Sequence, residues 1–196
     1  MKLVLATRNA HKLREFEGLL PGHEIVPLPE HVELPPENGD TFEANAETKA
    51  RTAANATGLP AIADDSGISA AALGGAPGVR SARFAGENAT DEDNLAKLLR
   101  EVPADADTRV EYVCALAYAE PGDPHTHMFV GRCAGRLTHE PRGEGGFGYD
   151  PAVIPSDLDD GRTMAELTPR EKDAISHRGR AARKFLDWLE RERAAA

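Results

Sequence analysis

No stretch of this 196-residue chain approaches the roughly 18 consecutive apolar residues of a membrane-spanning helix, so no membrane association is expected. The opening M-K-L-V-L-A-T carries too short an apolar segment for a secretory signal and runs straight into polar residues. A cytoplasmic address is the expectation. Cysteine is scarce: Cys114 and Cys133 are the pair, without C-x-x-C spacing, which argues against a zinc site. Both fall in strand-like segments and read as small packing residues of a reducing compartment. Positive charge is in deficit, with 23 Lys and Arg against 33 Asp and Glu and a formal net charge of −10. That balance opposes wrapping nucleic acid, whose binding is dominated by phosphate neutralisation. A small anionic substrate stays open if basic residues converge locally or a metal screens it. Repeats, linkers and low-complexity segments are absent apart from the Ala-rich tail. Disorder is excluded as well, because 40% of residues are apolar and 29% charged. One domain over residues 1–196 is expected, with a single core or two lobes.

What is present is organised around Leu59–Gly67, L-P-A-I-A-D-D-S-G. An apolar run ends in two carboxylates, a hydroxyl and a glycine, the pattern of a buried strand delivering polar groups to the mouth of a cleft. Adjacent carboxylates repel by about 4 kcal/mol at ~4 Å and an effective dielectric near 20, so a cation or donors should lie close by. Side chains alternate along a strand, which sends Asp64 and Asp65 to opposite faces. One is expected to hold a divalent metal and the other to brace the loop. An acidic turn capping the next element reads equally well from this stretch alone.

Upstream, Lys2–Ala6 reads as a short buried strand. A polar turn, Thr7-Arg8-Asn9-Ala10-His11-Lys12, leads from it into a helix with Leu13, Phe16, Leu19 and Leu20 on one face. Strand, turn and helix N-terminus make an anion site or a plain N-cap; the glycines of a Walker A loop are missing. After a strand at Glu24–Leu28, the Pro-rich loop Glu30–Gly39 carries Glu33 and Glu37. Asp40 or Thr41 then caps a second helix, Glu43 following Asp40 at capping-box spacing. Phe42, Ala46, Ala50, Ala53 and Ala54 form its inner stripe, and Gly58 and Pro60 stop it. Asn45 and Lys49 share one face of this helix.

Downstream, Gly74–Gly86 is a fixed Gly-Pro turn releasing Arg80 and Arg83, and Thr90 opens a helix that stops near Pro103. Thr108–Ala119 and Thr126–Cys133 are strands, the first with period-two alternation through Val110, Tyr112, Cys114, Leu116 and Tyr118. His125 and His127 sit at the hairpin tip between them. In Gly143–Asp150, glycines permit close backbone approach and Phe147 offers a stacking surface, unless the aromatics are core residues of a turn. Thr163 and Thr168 each begin a T-x-x-E capping box, and Lys172 lies in the short helix after the second. Ser176-His177-Arg178-Gly179 then puts cations at the start of the last helix, the wrong end for its dipole, a cost that suggests function.

In this order, T-x-N-x-x-K, F-E-A-N-A-x-x-K-A, A-D-D-S-G, G-G-A-P-G-V-x-S-A-R, G-G-F-G-Y-D-P and A-E-L-(x)4-K-(x)3-S-H-R closely resemble the inosine/xanthosine triphosphate pyrophosphatase family, from Lys2 to about Leu189. The resemblance implies an α/β fold: an elongated mixed β-sheet flanked by helices, two lobes with a central substrate cleft, usually in a homodimer. It implies Mg²⁺-dependent cleavage of ITP, dITP and XTP to the monophosphate and pyrophosphate. By the same resemblance, Thr7, Arg8, Asn9, Ala10, His11 and Lys12 would hold phosphates, with Lys12 the principal charge. Glu37 and Asp65 would serve the metal, and Asp65 would orient or deprotonate the attacking water. Ser66 would touch the nucleotide. Phe147 would stack on the base within Phe147, Gly148, Tyr149 and Asp150, and Lys172, His177 and Arg178 would read its edge.

Magnesium suits such a set, since it binds one or two protein carboxylates plus water and phosphate oxygens. Donors from His177 and Arg178 facing a 6-keto oxygen and N7 would reject adenine; guanine shares the 6-keto group, and its exclusion is left to pocket shape or Asp150. Two positions depart from the family pattern: Ile68–Leu73 lacks an acidic residue common in relatives, and Arg8 stands where a small residue or Asn is frequent. Rival readings are a pyrophosphatase acting on pyrimidine or modified nucleotides, a nucleotide-binding sensor without hydrolysis, and a purely structural acidic domain.

Overall fold

The computed structural model describes residues 1–195. Six strands form one mixed sheet in the order β2-β1-β3-β4-β5-β6, where β1 is Lys2–Leu5, β2 Glu24–Pro27, β3 Ala61–Ala70, β4 Arg109–Ala119, β5 Thr126–Leu137 and β6 Val153–Pro155. Strand β1 pairs parallel with β2 and β3, and β5 pairs antiparallel with β6. The helices are α1 (Ala10–Leu19), α2 (Phe42–Thr57), α3 (Asp91–Glu101), α4 (Pro169–Ile175) and α5 (His177–Ala195). The α/β class and mixed sheet expected from the sequence are therefore present.

The chain divides into two compact units. The first comprises Met1–Asp65, Cys114–Gly131 and the chain from Arg178 onward. Its strands are buried on both faces, and the period of two sorts them cleanly. Leu3, Leu5, Ile62, Cys114, Leu116 and Tyr118 pack with Phe16 and Leu20 of α1 and with Ala182, Phe185 and Leu189 of α5. The alternate residues Val4, Ala6, Ala61, Ala63, Ala115, Ala117 and Ala119 meet Ala46, Ala50, Ala53 and Ala54 of α2. Alanine against alanine lets α2 lie close to the sheet, so that longer side chains on its inner face reach strand backbone. Thr41 is the N-cap of α2, its Oγ1 accepting from the Ala44 N–H, and Gly58 ends the helix in the left-handed region at φ 66°. Asp40, the other capping candidate, lies outside the helix.

The second unit, Ser66–Val113 and Arg132–His177, has its own core of Ile68, Leu98, Val102, Val110, Tyr112, Cys133, Val153 and Met164. Capping boxes at Thr90, Thr163 and Thr168 start its helical turns, the last two as the T-x-x-E spacing predicts. Both cysteines are buried and unbridged.

One expectation is corrected. Strand β3 does not end at the acidic pair but runs through it from Ala61 to Ala70. Gly67 is not a turn residue: a Cβ there would collide with the Ser81 side chain and the Gly78 carbonyl, and the Ser81 Oγ accepts from the Ile68 N–H at 2.9 Å. Glycine serves close approach, which in sequence looks the same as a turn signal.

Candidate active site

Alternation along β3 turns the two aspartates to opposite faces within the first unit. Asp64 lies on the α1 and α5 side and is wholly buried. Its carboxylate meets Lys12 Nζ at 3.0 Å and accepts from Arg178 Nε at 3.1 Å. Arg178 also donates from Nη1 to Glu15 at 3.2 Å. Burial pushes the Asp64 pKa up, but the Lys12, Arg178 and Lys49 cations outweigh it and hold the carboxyl well below the usual range. The misplaced charge at the start of α5 is thereby explained: Arg178 is neutralised by carboxylates from β3 and α1.

Lys12 comes to this point from a closed N-terminal turn. The Asn9 Oδ1 accepts from the His11 and Lys12 N–H groups at 2.8 and 3.2 Å, and the Thr7 Oγ1 accepts from the Asn9 N–H at 3.1 Å. Ala10 and His11 are exposed at the helix start. Arg8 points elsewhere, donating to the carbonyls of Leu28, Pro29, Glu30 and Val32 at 2.7, 2.9, 3.2 and 2.8 Å. Its guanidinium fastens the beginning of the Pro-rich loop to the turn after β1.

On the α2 side stands a second cluster. Lys49 is 5% exposed, and its Nζ donates to Glu37 Oε1 and to the Asp64 carbonyl at 2.8 Å while lying 3.6 Å from Asp65 Oδ1. Asn45, four residues earlier on the same helix face, donates from Nδ2 to Asp65 Oδ2 at 2.8 Å and accepts from the Gly39 N–H at 2.8 Å. Burial is the main cause raising the Asp65 pKa; Lys49 opposes it and Glu37 adds to it. The Lys49 ammonium, penalised by burial, is nonetheless held charged by Asp65, Asp64 and Glu37. Glu37 and Asp65 thus converge on one positive charge. That donor set fits Mg²⁺, which takes few protein carboxylates. No group of three or more His, Cys, Asp or Glu suited to a metal occurs among the described residues.

The second unit builds a third polar cluster around Asp150, which is 3% exposed. Its Oδ2 accepts from the Phe147 N–H at 3.0 Å and from Lys172 Nζ at 2.8 Å, and its Oδ1 from the Tyr112 hydroxyl at 3.0 Å. Gly146, at φ 70°, is required here, because a Cβ would fall on the Asp150 carboxylate. The Phe147 ring is half-buried, with Lys172 Nζ 5.3 Å from its centroid. His177 lies parallel to Tyr112, ring centroids 4.7 Å apart and planes within 8°. The Gly148 N–H donates to Asp91 at 2.8 Å, and the buried Tyr149 hydroxyl donates to the Ser81 carbonyl at 2.7 Å. Ser66 is half-buried.

The chain as a whole has relatives among known proteins. A model of the Ham1 family matches residues 3–188. The chain belongs to the Ham1 family. It is 50% identical over 195 residues to the dITP/XTP pyrophosphatase of Photorhabdus laumondii, covering 96% of this chain and 98% of that one. Among solved structures, the HAM1 protein of Coxiella burnetii is 43% identical with a TM-score of 0.87, covering 97% of this chain and 99% of that one. The Ham1 protein of Staphylococcus aureus is 37% identical with a TM-score of 0.85, covering 98% and 100%.

Within this Ham1 chain, the residues named from sequence fall into both units. Lys12, Glu37, Asp65 and Arg178 belong to the first, and Ser66, Phe147, Asp150, Lys172 and His177 to the second. Arg178 is bound to Asp64 and Glu15, whereas the resemblance implies a base-edge contact for it. Sequence reasoning gives no role to Asn45, Lys49 or Tyr112. The spacing of Asn45 and Lys49 on one helix face is a usable signal. Tyr112 offers none, because its alternation is that of any core strand.

Proposed function

We propose that this chain hydrolyses the non-standard purine nucleotides ITP, dITP and XTP to the monophosphate and pyrophosphate, with Mg²⁺ as cofactor. The observation that carries the reading is the 50% identity, over nearly the whole of both chains, to a protein named dITP/XTP pyrophosphatase. Glu37 and Asp65 would hold the metal. Bound there, Mg²⁺ supplies positive charge to phosphate oxygens, a contribution worth several kcal/mol in such reactions.

The protein's own groups do the rest. Asp65 orients or deprotonates the water that attacks the α-phosphorus. Its raised proton affinity suits a base, and Asn45 and Lys49 fix its carboxylate. Asp64 stays ionised and holds Lys12 and Arg178 in place, so Lys12 is poised as the principal charge for the phosphates. The turn Thr7–Lys12, held closed by the Asn9 cap on the His11 and Lys12 N–H groups, sets the positive end of the α1 dipole toward the same anion. Phe147 stacks on the purine, and Lys172 and His177 address its edge. Hydrolysis leaves pyrophosphate, so the bond broken lies between the α- and β-phosphates.

A small-molecule substrate and a homodimer belong to the same proposal and rest on the family resemblance; action in the cytoplasm belongs to it as an expectation from the sequence. No helix among the described residues is long and apolar enough to cross a membrane. The deciding experiment offers ITP, dITP, XTP, GTP, ATP and dUTP with Mg²⁺ and measures released pyrophosphate. Fast turnover of ITP, dITP and XTP with ATP and dUTP rejected is the expected result. Equal rates on ATP, or orthophosphate as first product, would overturn the reading.

A further inference from the structure

We infer that Tyr112 is a specificity-determining residue: its hydroxyl occupies an acceptor site on Asp150 that would otherwise reward a purine carrying a 2-amino group. The inference rests on the reading that the Asp150 cluster takes the base.

A carboxylate offers about four lone-pair directions. On Asp150, three donors already point at them: the Phe147 N–H and Lys172 Nζ at Oδ2, and the Tyr112 hydroxyl at Oδ1. With 3% of the residue exposed, water does not compete for the remainder. This carboxylate lies against the stacking platform itself, since Lys172 Nζ touches Asp150 at 2.8 Å and stands 5.3 Å from the Phe147 ring centroid. Tyr112 also reaches the second base-facing group, its ring lying parallel to His177 at 4.7 Å. One side chain therefore braces the imidazole with its face and fills the carboxylate with its tip.

The consequence separates the three 6-keto purines by what each carries at C2. Hypoxanthine has a hydrogen there, which asks for no partner. Xanthine has an oxygen, an acceptor compatible with the Lys172 ammonium and averse to an open carboxylate lone pair. Guanine has an amino group, a donor that gives up water and must compete with the Tyr112 hydroxyl for Oδ1. An unmatched buried donor is strongly penalised, and a site lacking the partner discriminates accordingly. Guanine is excluded because an acceptor is withheld, which accounts for a discrimination that 6-keto recognition alone leaves open.

The test is Tyr112→Phe, which keeps the ring under His177 and removes only the hydroxyl. Steady-state kcat/KM for ITP, XTP and GTP is measured on wild type and variant with pyrophosphate detection. The GTP:ITP ratio is expected to rise roughly tenfold, and the XTP:ITP ratio to fall several-fold, as Oδ1 regains acceptor capacity. Ratios are insensitive to the fraction of molecules folded, so a partly destabilised variant still reports. Unchanged ratios, or a parallel loss on all three substrates, would show that the hydroxyl is only structural and overturn the inference. If wild type released no pyrophosphate from ITP or XTP, the base-site reading itself would fail, a result distinguishable from unchanged ratios on an active enzyme.

Discussion

The two faces of β3 treat neighbouring carboxylates in opposite ways. On one, Asp64 is wholly buried yet keeps its charge, because Lys12 and Arg178 close on it from two helices. On the other, burial raises the proton affinity of Asp65, and the Lys49 cation that opposes the rise is shared with Glu37, which adds to it. One residue of sequence separates a structural anchor from a candidate base. The alternation of the strand makes the difference, since each aspartate answers to a different helix layer. Chemistry follows from which layer supplies the cations, and not from the carboxylates themselves.

The comparison breaks first at Asp65. Asp65→Asn is expected to lower turnover at least about a hundredfold, in the range of general-base contributions of roughly 10²–10⁴. The same variant should unfold at or above the wild-type temperature at neutral pH. A carboxyl whose folded pKa is raised stabilises the fold below its unfolded pKa and loses that contribution as pH rises through the folded value. Unimpaired activity would remove Asp65 from the reaction.

Asp64→Asn should show the reverse pattern in stability. It strips the counter-charge from a buried Arg178, and breaking a buried pair costs about 3–5 kcal/mol, read by urea denaturation at pH 7. The depressed pKa fixes the pH dependence: Asp64 contributes stability above its unfolded pKa, and that contribution is lost as pH falls through the lower folded value. The gap between wild type and Asp64→Asn should therefore close in strong acid. A constant gap from neutral to acid pH would mean that the Asp64 charge is not what anchors the cations.

A smaller effect sharpens the Asp65 face. Asn45→Ala removes the donor to Asp65 Oδ2, and Gly39→Ala drives a Cβ into the Asn45 amide. Both should lower kcat by roughly tenfold, the scale of one lost hydrogen bond to a charged group, while KM for ITP moves little. A KM effect with normal kcat would place Asn45 in binding instead. The smallest change is expected in the second unit. Phe147→Ala should raise KM about fivefold with kcat largely kept, the lower end of the roughly 1–3 kcal/mol that base stacking is worth. A normal KM would return Phe147 to a purely structural place.

Much of this is legible in the residues. Strand and helix periods, the Thr163 and Thr168 capping boxes and the Gly58 stop need only local chemistry, and they appear where expected. Opposite orientation of Asp64 and Asp65 also follows from a period of two. The end of β3 is not legible, because a glycine serving close packing looks like a glycine serving a turn. Arg8 is given a phosphate role by the family resemblance alone, and nothing local announces what else its guanidinium holds. Its four carbonyl partners lie twenty or more residues away, beyond any local pattern.

By itself, the sequence determined the elements, the apolar stripes and the family, since each depends on spacing within a helix turn or strand repeat. Tertiary structure alone decided which partners set the state of each buried charge. Lys12 and Arg178 meet Asp64, Asn45 and Lys49 meet Asp65, and Tyr112 meets Asp150. The reason is electrostatic and steric together. A buried charge takes its state from partners within a few ångströms, and those partners arrive from elements far apart in the chain, by packing that no local repeat encodes.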